Sequence, residues 1–422
     1  MTLAHLLLIP LAAQSLELPG AEELGAAIDG WAAAGVEAEH LSGSLLVAHG
    51  GEVVVERHWG WANREHRVSC GPTTRYCIAS ISKPVTGAIA IRLGEQERLA
   101  LTDTLDRFAP EFPRGSEITV EMLLRHRAGI PHRPVDIPDR MAPRTAAEVL
   151  AAAADEPLTF DPGSDSSYST GGYSVLARVL EIAGGADYGA LVAREIAGPA
   201  GLTVTSDPND REVLPGRATS YVFGPGGFRH AELQDTSYLV GGGSLYSNAR
   251  DVHRFGEALL RGRLGERARE RYARRAGYRW NGVTDGFRAF ADHHLQEDLW
   301  VVWTGNVHSG ATDALRAAIP ALARGDDIPP LEVPEVAAEP LTRSALERAE
   351  GEYQLRPGSN LTVRALDGAL LVNDWLLLAQ SDTEFFSPQD YGRVRLRLSA
   401  QGAVEGLDWE QGGRVTEMPK VN

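Results

Sequence analysis

A proline-rich, acidic segment near the C-terminus divides the 422-residue chain into two unequal parts. Residues 326–342, DDIPPLEVPEVAAEPLT, contain four prolines and five acidic residues. Proline fixes its own φ and has no amide donor, so such a segment favours an extended linker over a helix or a strand. The sequence therefore predicts a large domain over 17–325 and a small domain over 343–422, joined by a linker at 326–342.

The 343–422 part consists of short apolar runs separated by Gly, Asn and Asp. Runs of this length between turn residues are typical of β-strands. We therefore predict a small all-β domain, either a barrel or a sandwich. The runs are LTVRAL, ALLVN, WLLLAQ, EFFSP, VRLRLSA and VEGLDWE.

The large part mixes helical and strand-like patterns. Two β-rich runs surround Gly50-Gly51, which predicts a hairpin. Further strands are expected at 286–292 and 299–304, and helices at 22–34 and 312–323. Between about 102 and 240 the sequence is rich in turns and helical runs, so we expect a helical region inserted between the strands.

Charge and hydropathy exclude several kinds of function. The formal net charge is −16, which disfavours binding to phosphate backbones, so we expect no nucleic-acid partner. Residues Leu3–Ala13 are apolar and end in small residues, which predicts a signal peptide over 1–16 and an exported protein. No run of residues is long and apolar enough for an integral membrane segment. Cys70 and Cys77 are the two cysteines, and they could form a disulfide or remain as two thiols.

The segment CIASISKP at 77–84 begins an apolar helical run. Serine is a preferred N-cap and proline fits the first turn, so a capped helix start is the simplest interpretation. A catalytic interpretation is also open, because Ser80 and Lys83 are three residues apart and share a helix face. Ser82 points about 100° away from Lys83, so the geometry favours Ser80 as the nucleophile.

The order of several segments around this one resembles the serine β-lactamase-related family. That family includes class C β-lactamases, low-molecular-weight penicillin-binding proteins, D-aminopeptidases and family VIII esterases. The resemblance implies an α+β fold of the β-lactamase/transpeptidase type, in which an antiparallel sheet is flanked by helices and a helical subdomain. It also makes the C-terminal domain similar to the lipocalin-like β domains of some members. The segments are SISKP at 80–84 with its flanks, LTDTL at 101–105, His126 with Gly129, FDPGSDSSYSTGGYSVL at 160–176, GGGSLYSNARDV at 241–252 and LWVVWTGN at 299–306.

The family's second motif is Tyr-x-Asn, whose tyrosine moves protons together with the lysine. Tyr168 stands at that position, and Thr170 replaces the asparagine. A hydroxyl can bond to Lys83, but it cannot offer a substrate both an N–H donor and a carbonyl acceptor. The resemblance therefore implies catalysis by Ser80, Lys83 and Tyr168, with weaker support for β-lactam hydrolysis.

The third motif, Lys-Thr-Gly or His-x-Gly, has two candidates. HSG at 308–310 matches the His-x-Gly motif in residue type, but it follows the segment at 299–306 that resembles the family's last strand. WNG at 280–282 lies at the motif position when counted back from the strand that begins at 286, and we favour it. Trp280, Asn281 and Gly282 are therefore expected to line the substrate site. The N–H groups of Ser80 and Val283 would then form the oxyanion hole. An indole in place of a cation suits a neutral ester or amide better than a carboxylate-bearing substrate.

Two hypotheses follow from these patterns. The first is a serine hydrolase that forms an acyl-enzyme with a small molecule or peptide carrying an ester or amide bond, more esterase-like or peptidase-like than a true β-lactamase. The second is a non-catalytic binding protein on the same scaffold. Neither requires a cofactor, and the adjacent His293 and His294 would face opposite sides of a strand, so we expect no metal site.

Overall fold

A computed structural model of the protein describes residues 18–133, 141–207, 213–272, 277–337 and 339–421. The predicted signal peptide at 1–16 lies outside these residues. Within them, no helix is long and apolar enough to cross a membrane.

The helices of the described ranges lie mostly in the large part of the chain. A short 3₁₀ turn, Ala79–Ile81, precedes the second helix, and a π turn, Val192–Ala197, joins the sixth to the seventh. The helices are α1 Ala21–Glu37, α2 Ser82–Glu95, α3 Val120–Leu124, α4 Ala146–Ala154, α5 Thr170–Gly184, α6 Tyr188–Leu191, α7 Gly198–Ala200, α8 Ala249–Leu260, α9 Glu266–Tyr272, α10 Ala311–Ala323 and α11 Arg343–Leu346.

The strands fall into a central sheet, a barrel and three small two-stranded pairs. They are β1 Gly43–His49, β2 Glu52–Trp59, β3 Trp61–Asn63, β4 Val68–Ser69, β5 Tyr76–Cys77, β6 Tyr221–Gly224, β7 Gly227–His230, β8 Tyr246–Ser247, β9 Arg279–Val283, β10 Arg288–His294, β11 Leu299–Gly305, β12 Gly351–Arg356, β13 Ser359–Leu366, β14 Ala369–Val372, β15 Trp375–Ala379, β16 Glu384–Ser387, β17 Gly392–Leu398, β18 Val404–Gln411 and β19 Arg414–Val421.

The central sheet has the order β2-β1-β11-β10-β9, and its neighbouring strands are antiparallel. Successive side chains of a strand point to opposite faces, so each face has its own core. Leu46 and Ala48 pack on the side of α2, α5 and α8. Leu45 and Val47 pack on the side of α1 and α10. The predicted antiparallel sheet flanked by helices is therefore confirmed, and β9 forms one of its two edges.

The C-terminal strands β12 to β19 close into an eight-stranded barrel. The sequence patterns indicated six of these strands and left a sandwich open, so the structure decides for a barrel and adds β12 and β19. Apolar side chains such as Tyr353, Phe385 and Leu407 fill its core. Outside, Ala369 and Leu376 pack against Tyr221 of the β6–β7 hairpin, which joins the barrel to the large domain.

Candidate active site

Ser80 lies in the 3₁₀ turn at the start of α2, and its side chain does not cap the helix. The N-cap of α2 is Ile81, which has no side-chain capping bond. The Ser80 hydroxyl instead accepts hydrogen bonds from Lys83 Nζ at 3.2 Å and from the Tyr168 hydroxyl at 2.7 Å. The preceding Ala79 has a φ of 45°, an unusual left-handed conformation for a residue with a Cβ. Capping is thus a wrong prediction for Ser80, and the strained turn presents its hydroxyl to two proton-carrying groups.

Ser82 and Ser80 point in different directions, as the helix geometry predicts. The Ser82 side chain is fully buried and its Oγ accepts the Leu245 N–H at 3.2 Å. The Ser82 hydroxyl therefore holds the segment at Leu245 in place, and it is not exposed to the cavity.

Lys83 is a buried cation without a carboxylate partner in the described part of the chain. Its side chain is 5% exposed, and its Nζ donates to Ser80 Oγ, to Thr170 Oγ1 at 3.1 Å and to the Gly242 carbonyl at 2.7 Å. All three acceptors are neutral, so no opposite charge offsets the cost of burying the ammonium. Burial lowers the pKa of Lys83 from 10.5 to about 7. At neutral pH a large fraction of Lys83 is therefore uncharged and able to accept a proton.

Tyr168 also contacts Ser80, and its phenol is protonated at neutral pH. Its side chain is 48% exposed, and its ring centroid lies 4.7 Å from Lys83 Nζ. Burial of the ring raises the pKa of Tyr168, although its hydrogen bond to Ser80 opposes that shift. The family resemblance gives the tyrosine the role of a general base or acid. The structure favours a neutral phenol that donates a proton.

Thr170 begins α5 and lines the cavity, and its hydroxyl accepts a hydrogen bond from Lys83. It is 7% exposed. Its methyl group packs against the glycine-rich turn, where a Cβ on Gly242 would lie 2.6 Å from Thr170 Cγ2. The absence of a side chain at Gly242 therefore lets its carbonyl approach Lys83. Thr170 therefore holds the lysine in place from the wall of the cavity.

The strand β9 runs past the serine turn at one edge of the sheet. A Cβ on Gly282 would lie 2.1 Å from the Ile78 carbonyl oxygen, so only glycine fits at this crossing. In an antiparallel pair, hydrogen-bonded and non-bonded residues alternate. The Thr284 N–H donates to the Phe287 carbonyl, and the His293 N–H donates to the Tyr278 carbonyl. The even-numbered residues along β9 are therefore the ones that are hydrogen-bonded to β10. The N–H of Val283 consequently points away from the sheet, as an oxyanion donor requires.

A cavity of about 750 Å³ opens above Ser80. Trp280 forms part of its wall and stacks on Tyr278, with ring centroids 5.0 Å apart, and on Phe255 at 5.4 Å. This volume suits a small-molecule substrate. Leu239, Tyr173 and the Trp280 cluster make much of the wall apolar.

Asn281 also lines the cavity, but its oxygen is already engaged. Asn281 Oδ1 accepts from Arg288 and from Arg316 at 3.2 Å. Arg288 is not the solvated residue that an arginine on a strand would ordinarily be. Arg288 is 4% exposed and forms an ion pair with Asp313. It anchors β9 to α10, because a buried guanidinium requires several acceptors.

The alternative third motif lies elsewhere. His308 is not among the residues that line the cavity around Ser80. Burial lowers its pKa, and its electrostatic neighbours are Arg288, Asp313, Asp285 and Asp390. The structure therefore brings WNG, and not HSG, to the serine.

The cysteines are free thiols in the structure. Cys70 and Cys77 are both buried, and burial raises the pKa of the Cys70 thiol. Cys77 Sγ donates to the Gly243 carbonyl at 3.4 Å, beneath the glycine-rich turn. Within the described ranges, no three His, Cys, Asp or Glu side chains are grouped in a way that could hold a metal ion.

Comparison with known proteins decides the family. The family model described as Beta-lactamase matches residues 28–325. The chain belongs to the beta-lactamase family. The match covers the sheet, the helical region and the site around Ser80, and it ends before the barrel.

Known relatives and solved structures match this chain over different lengths. Penicillin-binding protein 4* of Bacillus subtilis (strain 168) is 29% identical over 245 residues, which are 53% of this chain and 53% of that protein. The chain thus spans about half the length of that relative. The D-amino acid amidase from Ochrobactrum anthropi SV3 has a similar fold, with a TM-score of 0.63 and 18% identity over 72% of this chain and 99% of the amidase chain. SurE has a TM-score of 0.62 and 21% identity, and it covers 95% of this chain and 99% of its own.

Two parts of this beta-lactamase family site carry no signal in the sequence interpretation. The Gly242 carbonyl is a backbone group, so no residue letter marks it as a lysine partner. His126 is among the landmarks of the family resemblance, but its contact with Tyr168, with ring centroids 4.7 Å apart, is not marked in the sequence. A left-handed φ of 58° at His126 is the local feature that sets it there, and a residue type alone does not reveal a backbone conformation.

Proposed function

We propose that the protein is a serine hydrolase that cleaves an ester or an amide through an acyl-enzyme at Ser80. The observation that carries this proposal is the contact of one hydroxyl with both a depressed-pKa lysine and a neutral phenol. A nucleophile within reach of a base is the arrangement that covalent catalysis requires. A scaffold kept only for binding gives no reason to bury an unpaired lysine at this position.

In the acylation step, neutral Lys83 removes the proton from Ser80 as the hydroxyl oxygen attacks the substrate carbonyl carbon. The carbonyl electrons move onto oxygen, which the N–H groups of Ser80 and Val283 stabilise. When the tetrahedral intermediate collapses, the bond to the leaving group breaks. Tyr168 gives its proton to the departing oxygen or nitrogen, and it recovers a proton from protonated Lys83, whose Nζ lies near its ring.

In the deacylation step, water replaces the leaving group and the same residues act in reverse. Tyr168 passes its proton to neutral Lys83 as it accepts one from the water that attacks the ester carbonyl carbon, and protonated Lys83 then gives a proton to the departing serine oxygen. The acid product and the free enzyme are then restored.

The apolar part of the cavity wall favours a substrate with an apolar portion, and Arg133 and Arg279 also line the cavity. Trp280 stands where the family resemblance places a cation that would hold a carboxylate, and the Thr170 hydroxyl, already bonded to Lys83, cannot supply an amide's paired hydrogen bonds. Both features support esterase or peptidase activity over β-lactam hydrolysis.

Turnover of 4-nitrophenyl butyrate by the wild type and by Ser80→Ala tests the proposal. We expect the variant to lose all but a small residual rate, and a fluorophosphonate probe to attach to the peptide that contains Ser80. Ser82→Ala is the matched control, because it removes a hydroxyl from the same turn and should keep both turnover and labelling. Equal rates in wild type and Ser80→Ala, with no labelled peptide, would favour a binding protein instead.

We also propose that residues 1–16 direct export. The apolar run Leu3–Ala13 supports this. N-terminal sequencing of the protein recovered from outside the cytoplasm tests it, and an intact Met1 on that protein would contradict cleavage.

A further inference from the structure

The segment that carries Tyr168 has little regular structure to hold it. Residues 165–169 lie between a turn and the start of α5, outside any helix or strand. The phenol is half-exposed, yet it must meet Ser80 at 2.7 Å. Some other group must therefore fix the backbone on both sides of Tyr168.

His126 does so on both sides, and the Pro131 carbonyl accepts a further bond from the Ser169 hydroxyl at 2.9 Å. The His126 carbonyl accepts the N–H of Ser167 at 3.0 Å, and His126 Nδ1 accepts the N–H of Ser169 at 3.2 Å. These are the two amides that flank Tyr168. The His126 ring also packs between two tyrosines, with centroids 4.7 Å from Tyr168 and 5.1 Å from Tyr173.

The ring must be neutral to accept this bond, with its proton on Nε2. Burial and the nearby Lys83 lower the pKa of His126 to about 4, so the acceptor form is present at neutral pH. The left-handed φ of His126 turns its carbonyl and its ring toward the same segment. Because both contacts come from one rigid residue, a shift of the ring moves Tyr168 relative to Ser80.

We propose that His126 is a positioning residue for proton donation by Tyr168, acting through its two hydrogen bonds to the flanking amides. This inference rests on the proposed serine hydrolase function. It predicts that the loss of the ring acceptor slows substrates that need a protonated leaving group, and spares substrates that do not.

Two variants isolate the ring acceptor from the backbone. His126→Gly accepts the left-handed φ and keeps the carbonyl bond, but it removes the ring. His126→Asn also tolerates this φ and places an amide oxygen near the position of Nδ1. Thermal melting of each variant shows whether the fold is retained.

Two esters with the same acyl group provide the readout, 4-nitrophenyl butyrate and ethyl butyrate. Nitrophenolate leaves without a proton, whereas ethoxide needs one. The value of kcat/KM reports acylation alone, so the shared deacylation step does not mask the difference. We expect His126→Gly to lower kcat/KM about 10²-fold for ethyl butyrate and only a few-fold for the nitrophenyl ester, as loss of general-acid catalysis would do. His126→Asn should recover most of the loss.

Tyr168→Phe should show the same selective loss, and His126→Gly should add little in that background, because both act through one proton transfer. Equal losses on both esters, no recovery in His126→Asn, or additive effects with Tyr168→Phe would overturn the inference. If Ser80→Ala hydrolyses both esters as the wild type does, the proposed function itself fails, which is a different result.

Discussion

Lys83→Met is predicted to abolish turnover and at the same time to stabilise the fold. Methionine has nearly the same length as lysine and carries no charge, so it fills the buried site without a desolvation cost. The wild-type lysine has its pKa lowered from 10.5 to about 7, because folding takes it out of water and gives it neutral partners only.

The magnitude follows from that difference in pKa. Below pH 7 the lysine is protonated in both the folded and the unfolded chain, so the folded state bears the whole cost, about 5 kcal/mol. Between pH 7 and 10.5 the unfolded chain binds more protons than the folded one, so stability rises with pH. At pH 9 the remaining cost is about 2 kcal/mol. Methionine leaves the Gly242 carbonyl and Thr170 without their hydrogen-bond donor. This loss destabilises the variant by about 1–3 kcal/mol at every pH.

Urea unfolding of wild type and Lys83→Met at pH 6 and pH 9 measures this directly. We expect the variant to be more stable by about 2–4 kcal/mol at pH 6, and the advantage to shrink by about 2–3 kcal/mol at pH 9. Thr170→Val is a useful control, because it removes an acceptor of the lysine and leaves the charge in place. A stability difference that does not change with pH would refute the claim that the lysine is buried without compensation.

Three further predictions concern catalysis. A plot of wild-type kcat/KM against pH should rise through an apparent pKa near 7, since Lys83 must lose its proton to act as the base; a rate that falls as pH rises from 6 to 8 would contradict this role. In Thr170→Val that rise should move to lower pH, because the loss of a hydrogen-bond acceptor disfavours the charged amine; an unmoved midpoint would exclude Thr170 as a partner of the base. Gly282→Ala should lower kcat by about 10²-fold, because its Cβ would lie 2.1 Å from the Ile78 carbonyl and push Val283 away from Ser80. Gly226→Ala, where a Cβ meets nothing within 4 Å, should leave kcat unchanged.

The sequence predicts much of this fold because the secondary structure of strongly periodic segments depends mainly on their own residues. The hairpin at Gly50-Gly51 and the helices over 22–34 and 312–323 all appear, as β1–β2, α1 and α10. Two barrel strands were missed for a physical reason. In β12, the pattern after Tyr353 is exposed at three successive residues, and β19 contains Pro419. Their pairing with each other, Glu352 with Val421 and Tyr353 with Lys420, is set by barrel closure, which a local pattern does not contain.

The chemistry of the site was predictable only where side chains carry it. The spacing of Ser80 and Lys83 on one face of a helix is a local property, and the structure brings these two atoms together. The depressed pKa of Lys83 depends on what surrounds it, since the Gly242 carbonyl arrives from a turn 159 residues away in sequence. Likewise, the buried pairing of Arg288 requires α10, which is distant in sequence from β10. Groups whose role depends on long-range contacts therefore escape a sequence argument.

The distribution of charge explains how so acidic a chain can hold a neutral lysine. The protein has a net charge of −16, yet none of the described residues that line the cavity is Asp or Glu. A carboxylate within a few ångströms of Lys83 would raise its pKa toward the ordinary value and keep it protonated. A protonated lysine could still hold Ser80 in place, but it could not take its proton. The exclusion of acidic side chains from this one cavity is therefore as necessary for the proposed base as the lysine itself.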